Sequence, residues 1–129
     1  MFSRNILTCR YLPKNVVFKQ LDEQFLSIAR QECSPDGSTC LLALVLNGWL
    51  TVANIGDSIA TLAHKDGSWV QLNDEHSPNR QDERLRIEAA NGYVLNERIN
   101  NELSVSRAFG DYEMKRNQLV ISEPEGTSR

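Results

Sequence analysis

The run Thr39-Cys40-Leu41-Leu42-Ala43-Leu44-Val45-Leu46-Asn47-Gly48-Trp49-Leu50-Thr51-Val52-Ala53-Asn54-Ile55 decides how this chain folds. Thr39 to Leu46 is a continuous apolar, β-prone stretch, and Trp49 to Ile55 resumes it. Asn47-Gly48 separates the two halves. Both central positions of a two-residue hairpin turn need positive φ, which Asn and Gly tolerate, so the pair predicts a hairpin. An unbroken apolar run predicts strands with at least one face fully buried. Gly56-Asp57-Ser58 breaks the second strand. Ile59 to Ala63 and Trp69 to Leu72, divided by the turn Lys65-Asp66-Gly67, extend the pattern into an antiparallel meander.

Upstream, Phe18, Leu21, Phe25 and Ile28 recur at i, i+3, i+7 and i+10, with Val17 beside them, which predicts an amphipathic helix. Asn15 stands where a cap would. The breaker sequence Cys33-Ser34-Pro35-Asp36-Gly37 ends the helix. Downstream, Asn73 to Asn79 is polar, contains Pro78 and predicts a loop. Arg80 to Asn91 predicts a second helix, with Ser77 or Asn79 as cap, Asp82 and Glu83 in the first turn and Gly92 just past the end. Tyr93–Leu95, Leu103–Val105 and Leu119–Ile121 are short strand candidates. Residues 1–13 show no clear period, and Ser122 to Arg129 predicts a loose polar tail. The order helix, meander, helix, short strands is an α+β pattern.

The length of 129 residues suits one domain or part of one. With 40% hydrophobic and 24% charged residues, the chain can build a core. A formal net charge of −3 gives no electrostatic footprint for nucleic acid or an anionic membrane. No apolar run approaches the roughly 20 residues of a membrane span. Met1 to Leu12 lacks the apolar centre of a secretory signal. The three cysteines, Cys9, Cys33 and Cys40, are odd in number and scattered, and read as reduced thiols. A cytoplasmic or nuclear location is therefore expected, with no nucleic acid and no membrane as partner.

Four segments carry a more specific signal. They are Asp36-Gly37-Ser38-Thr39; Val52-Ala53-Asn54-Ile55-Gly56-Asp57-Ser58; Asp74-Glu75-His76-Ser77-Pro78 with Glu83, Arg86-Ile87 and Asn91-Gly92; and Leu103-Ser104-Val105-Ser106-Arg107-Ala108-Phe109-Gly110-Asp111 with Lys115. In this order and spacing they resemble the protein phosphatase type 2C family, which is metal-dependent and acts on phosphoserine and phosphothreonine in proteins. The resemblance implies an α+β fold. Its form would be a partial αββα sandwich of that kind, with antiparallel sheets flanked by helices. Residues 1–129 would form a single incomplete domain, with 14–124 as the core of the resemblance. It also implies Mg or Mn as cofactor and a phosphoprotein substrate or other protein partner.

Departures from the family pattern bear on function. The D-G-H-G-G turn, the late D-G-x-W-D segment and the D-N pair that feed the family's metal centre are absent from this sequence. Asp36-Gly37-Ser38 does not match the first of them, and Ile59 replaces the arginine that usually follows Gly-Asp-Ser. The expectation is a chain inactive on its own. Two alternatives are a non-catalytic, phosphatase-like protein-binding module and a truncated isoform.

Two divalent cations held by clustered carboxylates can activate a water and neutralise phosphoryl oxygens. Asp57, at a strand end beside a glycine, is the candidate metal ligand, and the resemblance places it at an accessory metal position. The competing reading is a turn cap bonded to backbone N–H groups. Asp111, in a similar setting, reads first as a turn or buried hydrogen-bonding residue and second as a metal ligand. Arg107 reads as the partner of a nearby carboxylate. His76 reads as a solvated loop residue. Catalytic residues are not assigned.

Overall fold

The computed structural model describes residues 14–128, so the aperiodic stretch 1–13 and the terminal residue lie outside it. In chain order the elements are helix α1 (Lys14–Glu32), strands β1 (Gly37–Ser38), β2 (Cys40–Leu46), β3 (Trp49–Ile55), β4 (Thr61–Ala63) and β5 (Trp69–Gln71), and helix α2 (Gln81–Ala89). Strands β6 (Val94–Leu95), β7 (Arg98–Ile99) and β8 (Phe109–Gly110), helix α3 (Tyr112–Arg116) and strand β9 (Glu125–Ser128) complete the order. The architecture is α+β, and the named strands pair antiparallel.

The hairpin forms where Asn47-Gly48 predicts it. Leu46 pairs with Trp49, and the two turn residues take φ of 50° and 80°. The meander does not continue beyond it. β4 and β5 form a separate pair, and β3 instead takes β9 on its second edge, with Asn54 opposite Glu125 and Thr51 opposite Ser128. The tail expected to be loose is thus the third strand of the main sheet. Ladder bonds use backbone groups, so polar side chains on β9 are no obstacle. The Thr127 hydroxyl adds a bond to the Leu72 carbonyl at 2.8 Å.

Two apolar patterns meet a different environment from the one predicted. β2 is the sheet's outer strand, and Val45 and Leu42 are 71% and 51% exposed. Burial is instead concentrated on β3, from Val52 to Ile55. On α1 the buried line is Phe18, Asp22, Leu26 and Ala29, while Leu21, Phe25, Ile28 and Val17 are exposed. The helix face is set by two contacts. Phe18 packs on Ala53 and Ile55, with its ring 5.4 Å from that of Phe109. Asp22 is buried because it binds Lys115 Nζ at 2.6 and 2.7 Å and accepts the Gly110 N–H at 2.9 Å. A search for an apolar stripe passes over an aspartate.

α1 begins at Lys14, so Asn15 lies inside the helix and not at its cap. At α2, Arg80 holds the cap position without a capping side chain, and Ser77 Oγ instead accepts the Asn79 N–H. At the far end, Asn91 and not Gly92 takes the left-handed conformation, with φ of 63°. Gly92 N–H returns to the Ile87 carbonyl and Asn91 N–H to that of Glu88, closing the helix end. Gly92 is needed for space: a Cβ there would strike the Leu119 and Ile87 side chains. Those two belong to the main core cluster, with Ile99, Val105, Ala108 and Val120. Leu103 and Ile121 contribute only isolated bridges, to Ile99 and Arg107. Among the described residues no helix is long and apolar enough to cross a membrane.

Candidate functional site

The turn Gly56-Asp57-Ser58 leaves β3 with its backbone bonded on several sides. Gly56 has φ of +104°, and the Thr39 side chain occupies the space a Cβ would need, so only glycine fits. Its N–H donates to His76 Nδ1 at 3.0 Å, and its carbonyl accepts from His76 N–H and Asn54 Nδ2, each at 2.9 Å. Asn73 Nδ2 donates to the Ser58 carbonyl at 2.8 Å, while Asn73 Oδ1 accepts the Ala60 N–H at 2.7 Å. The Thr39 and Ser58 hydroxyls lie 3.4 Å apart. Asp57 itself is exposed, and among the described residues no hydrogen bond caps the turn through its carboxylate. Other side chains fix the turn, which leaves the Asp57 oxygens available to a ligand.

His76 is not the solvated loop residue that the sequence suggests. It is fully buried. Ser106 holds its carbonyl through both N–H and Oγ, each at 2.9 Å. Its Nδ1 accepts a hydrogen bond, so the neutral ring carries its proton on Nε2, which faces Glu125 Oε2 at 3.4 Å. Burial, and then the Arg107 charge, push its pKa below the ordinary histidine value, with Glu125 opposing.

Beside it lies an ion-pair network. Arg107 grips Glu83 Oε1 through Nε (3.1 Å) and Nη2 (2.6 Å) and reaches Glu125 Oε1 at 2.9 Å. Arg86 holds Glu83 Oε2 at 3.0 Å, and Arg80 bridges Asp82 and Glu125. Burial would raise the Glu83 pKa, but hydrogen bonds from Arg107, Ser106 and Arg86 and the Arg107 charge together outweigh it, and the carboxyl sits at about 2. Asp82 is also lowered to about 2, by Arg80. The pairing of Arg107 with a carboxylate is as the sequence suggests.

A second knot joins α1 to α3. Asp22 and Lys115 form its ion pair, with Lys115 Nζ also donating to the Ala108 carbonyl at 2.7 Å. Asp111 adopts φ of 49°, donates its N–H to the Asp36 carbonyl at 3.0 Å and lays its carboxylate over Gly37. Burial raises its pKa, while Lys115 opposes. Asp111 thus stands at the cap position of α3, but its side chain makes no capping hydrogen bond, and only its backbone takes part in the turn.

The one group of acidic side chains spaced to grip a cation, among the described residues, is Asp82, Glu83 and Glu125. Three guanidinium groups already engage its oxygens, so no negative charge is left to attract a metal. A cleft of about 430 Å³ is lined by residues 71–74 and 125–127, and Asp57 is not among them. Asp57 thus offers a single exposed hard donor. Two divalent ions need clustered oxygen ligands, so the described residues do not fit a two-metal centre.

The four quoted segments converge in space. Thr39, Asn54, His76 and Ser106 come one from each and connect in series through the Gly56–Ser58 turn. Spacing alone gave no signal for the buried acceptor role of His76.

Comparison with known proteins agrees with this convergence. The family model described as "Protein phosphatase 2C" matches residues 5–129. The chain is 42% identical to Probable protein phosphatase 2C 76 of Arabidopsis thaliana, over 92% of its own length and 28% of that protein's. A solved phosphatase from Toxoplasma gondii is 41% identical, with a TM-score of 0.60, over 62% of this chain and 27% of that one. A solved C. elegans sex-determining protein is 28% identical, with a TM-score of 0.75, over 87% of this chain and 28% of that one. The α+β fold matches theirs, and the chain spans less than a third of each.

Proposed function

The chain belongs to the protein phosphatase 2C family, a metal-dependent family of serine/threonine phosphatases, and from that premise we propose that it is the Asp57-bearing part of such a catalytic domain. The substrate class on this reading is phosphoserine and phosphothreonine in proteins, with Mg²⁺ or Mn²⁺ as the ion. The observation that carries it is the Gly56–Ser58 turn: Asn54, Asn73 and His76 fix its backbone, Thr39 meets the Ser58 hydroxyl and Ser106 braces His76, while the Asp57 carboxylate makes no hydrogen bond among the described residues. Asp57 would hold a cation through one carboxylate oxygen and otherwise water, which makes binding weak. Residues 1–129 act on this account as one incomplete domain without turnover of their own.

Mn²⁺ titration of the ¹⁵N-labelled chain tests the assignment. The amide signals of residues 55–59 are expected to broaden first, and Asp57→Asn to abolish that selectivity. Broadening that is unchanged in the variant rules out Asp57 as a ligand.

A second reading, a protein-docking module that needs no metal, is favoured by the apolar side chains exposed on α1 and β2. Capture of a stable partner that survives chelator would support it, and loss of the partner on chelation would count against it.

A further inference from the structure

Four side chains outside the Gly56–Ser58 turn hold it, and three of them do so with amide or hydroxyl groups. His76 differs. Its ring nitrogen is the acceptor for the N–H of Gly56, the residue immediately before Asp57. Gly56 is buried, so this N–H has no access to bulk water and depends on that acceptor. The His76 backbone is held on two sides: Ser106 clamps its carbonyl, and its own N–H returns to the Gly56 carbonyl. Its Nε2 lies 3.4 Å from Glu125 Oε2 without a hydrogen bond among the described residues. The charged groups around the ring, Arg107, Arg80, Glu83 and Glu125, are paired with one another.

We propose that His76 is a positioning residue for Asp57: its Nδ1 lone pair fixes the Gly56 peptide and so sets where the Asp57 carboxylate stands. It does not touch the ion. The role is that of an outer partner that orients a ligand, here through the backbone of Gly56. The inference rests on the reading of Asp57 as a metal ligand.

The experiment uses the ¹⁵N-labelled 129-residue chain and Mn²⁺. A long-range ¹H–¹⁵N spectrum should show His76 Nδ1 unprotonated and scalar-coupled across the hydrogen bond to the Gly56 amide nitrogen. A protonated Nδ1, or no coupling to Gly56, overturns the proposal without reference to metal. In the titration, His76→Leu should weaken the Asp57-dependent broadening by about tenfold or more, the usual effect of removing an outer partner of a ligand. His76→Asn, whose Oδ1 can stand near the place of Nδ1, should restore most of it. Full Asp57-dependent broadening in His76→Leu, or no rescue by Asn, overturns the His76 role and leaves the Asp57 reading standing. Broadening that does not respond to Asp57→Asn in the unaltered background overturns both. If the leucine variant does not fold, the Gly56 coupling and the Asn variant decide the matter.

Discussion

At the scale of single residues, burial separates what the sequence announces from what it conceals. Arg107 was legible because the planar guanidinium fork suits bidentate pairing with a carboxylate. The identity of that partner, Glu83, 24 positions away, was not. His76 was misread because its neighbours are polar, yet they pack it at the centre of the site. Glu83 is 2% exposed and meets three guanidinium groups, those of Arg80, Arg86 and Arg107. Removing it leaves Arg107 buried without its main partner, so Glu83→Ala should cost about 3–5 kcal/mol in a denaturant melt. A loss below 1 kcal/mol would contradict this picture of the network. The same group sets an acid limit. Its folded pKa of about 2 lies below the unfolded value of 4.5. Its contribution is therefore complete above pH 4.5 and is lost as pH falls through about 2, by roughly 3 kcal/mol in total. The pH dependence of stability between 5 and 2 should flatten in Glu83→Gln.

At the scale of elements, the hairpin was legible from Asn47-Gly48 because turn chemistry is local. The partners of its strands were not. β9 carries no apolar pattern, and its place beside β3 depends on backbone pairing and on the Arg80 and Arg107 bonds to Glu125. α1 was predicted as a helix, but its buried face was not, since the Asp22–Lys115 pair turns it away from the strongest apolar stripe. The outer strand β2 combines an edge that no other described strand pairs with exposed Leu42, Leu44, Val45 and Leu46. Such an edge invites association between chains. Val45→Lys, at the most exposed of these positions, should change stability by no more than about 0.5 kcal/mol. It should also slow aggregation, measured by light scattering at matched concentration. Faster aggregation, or a clear loss of stability, would mean that β2 is covered in solution.

At the scale of the whole molecule, the α+β class and the family followed from four segments read in order, and the structure explains why they travel together. They are successive layers of support around one turn. Among the described residues the one acidic group spaced to grip a cation, Asp82, Glu83 and Glu125, does not include Asp57 and is paired with arginines. The central claim is that this polypeptide carries the scaffold of a phosphatase site without enough oxygen donors to run it. The direct test is the rate at which the purified 129-residue chain hydrolyses a phosphoserine or phosphothreonine peptide with saturating Mn²⁺ or Mg²⁺. No release of phosphate above the Asp57→Asn control is the predicted result, and metal-dependent turnover that Asp57→Asn abolishes would contradict it.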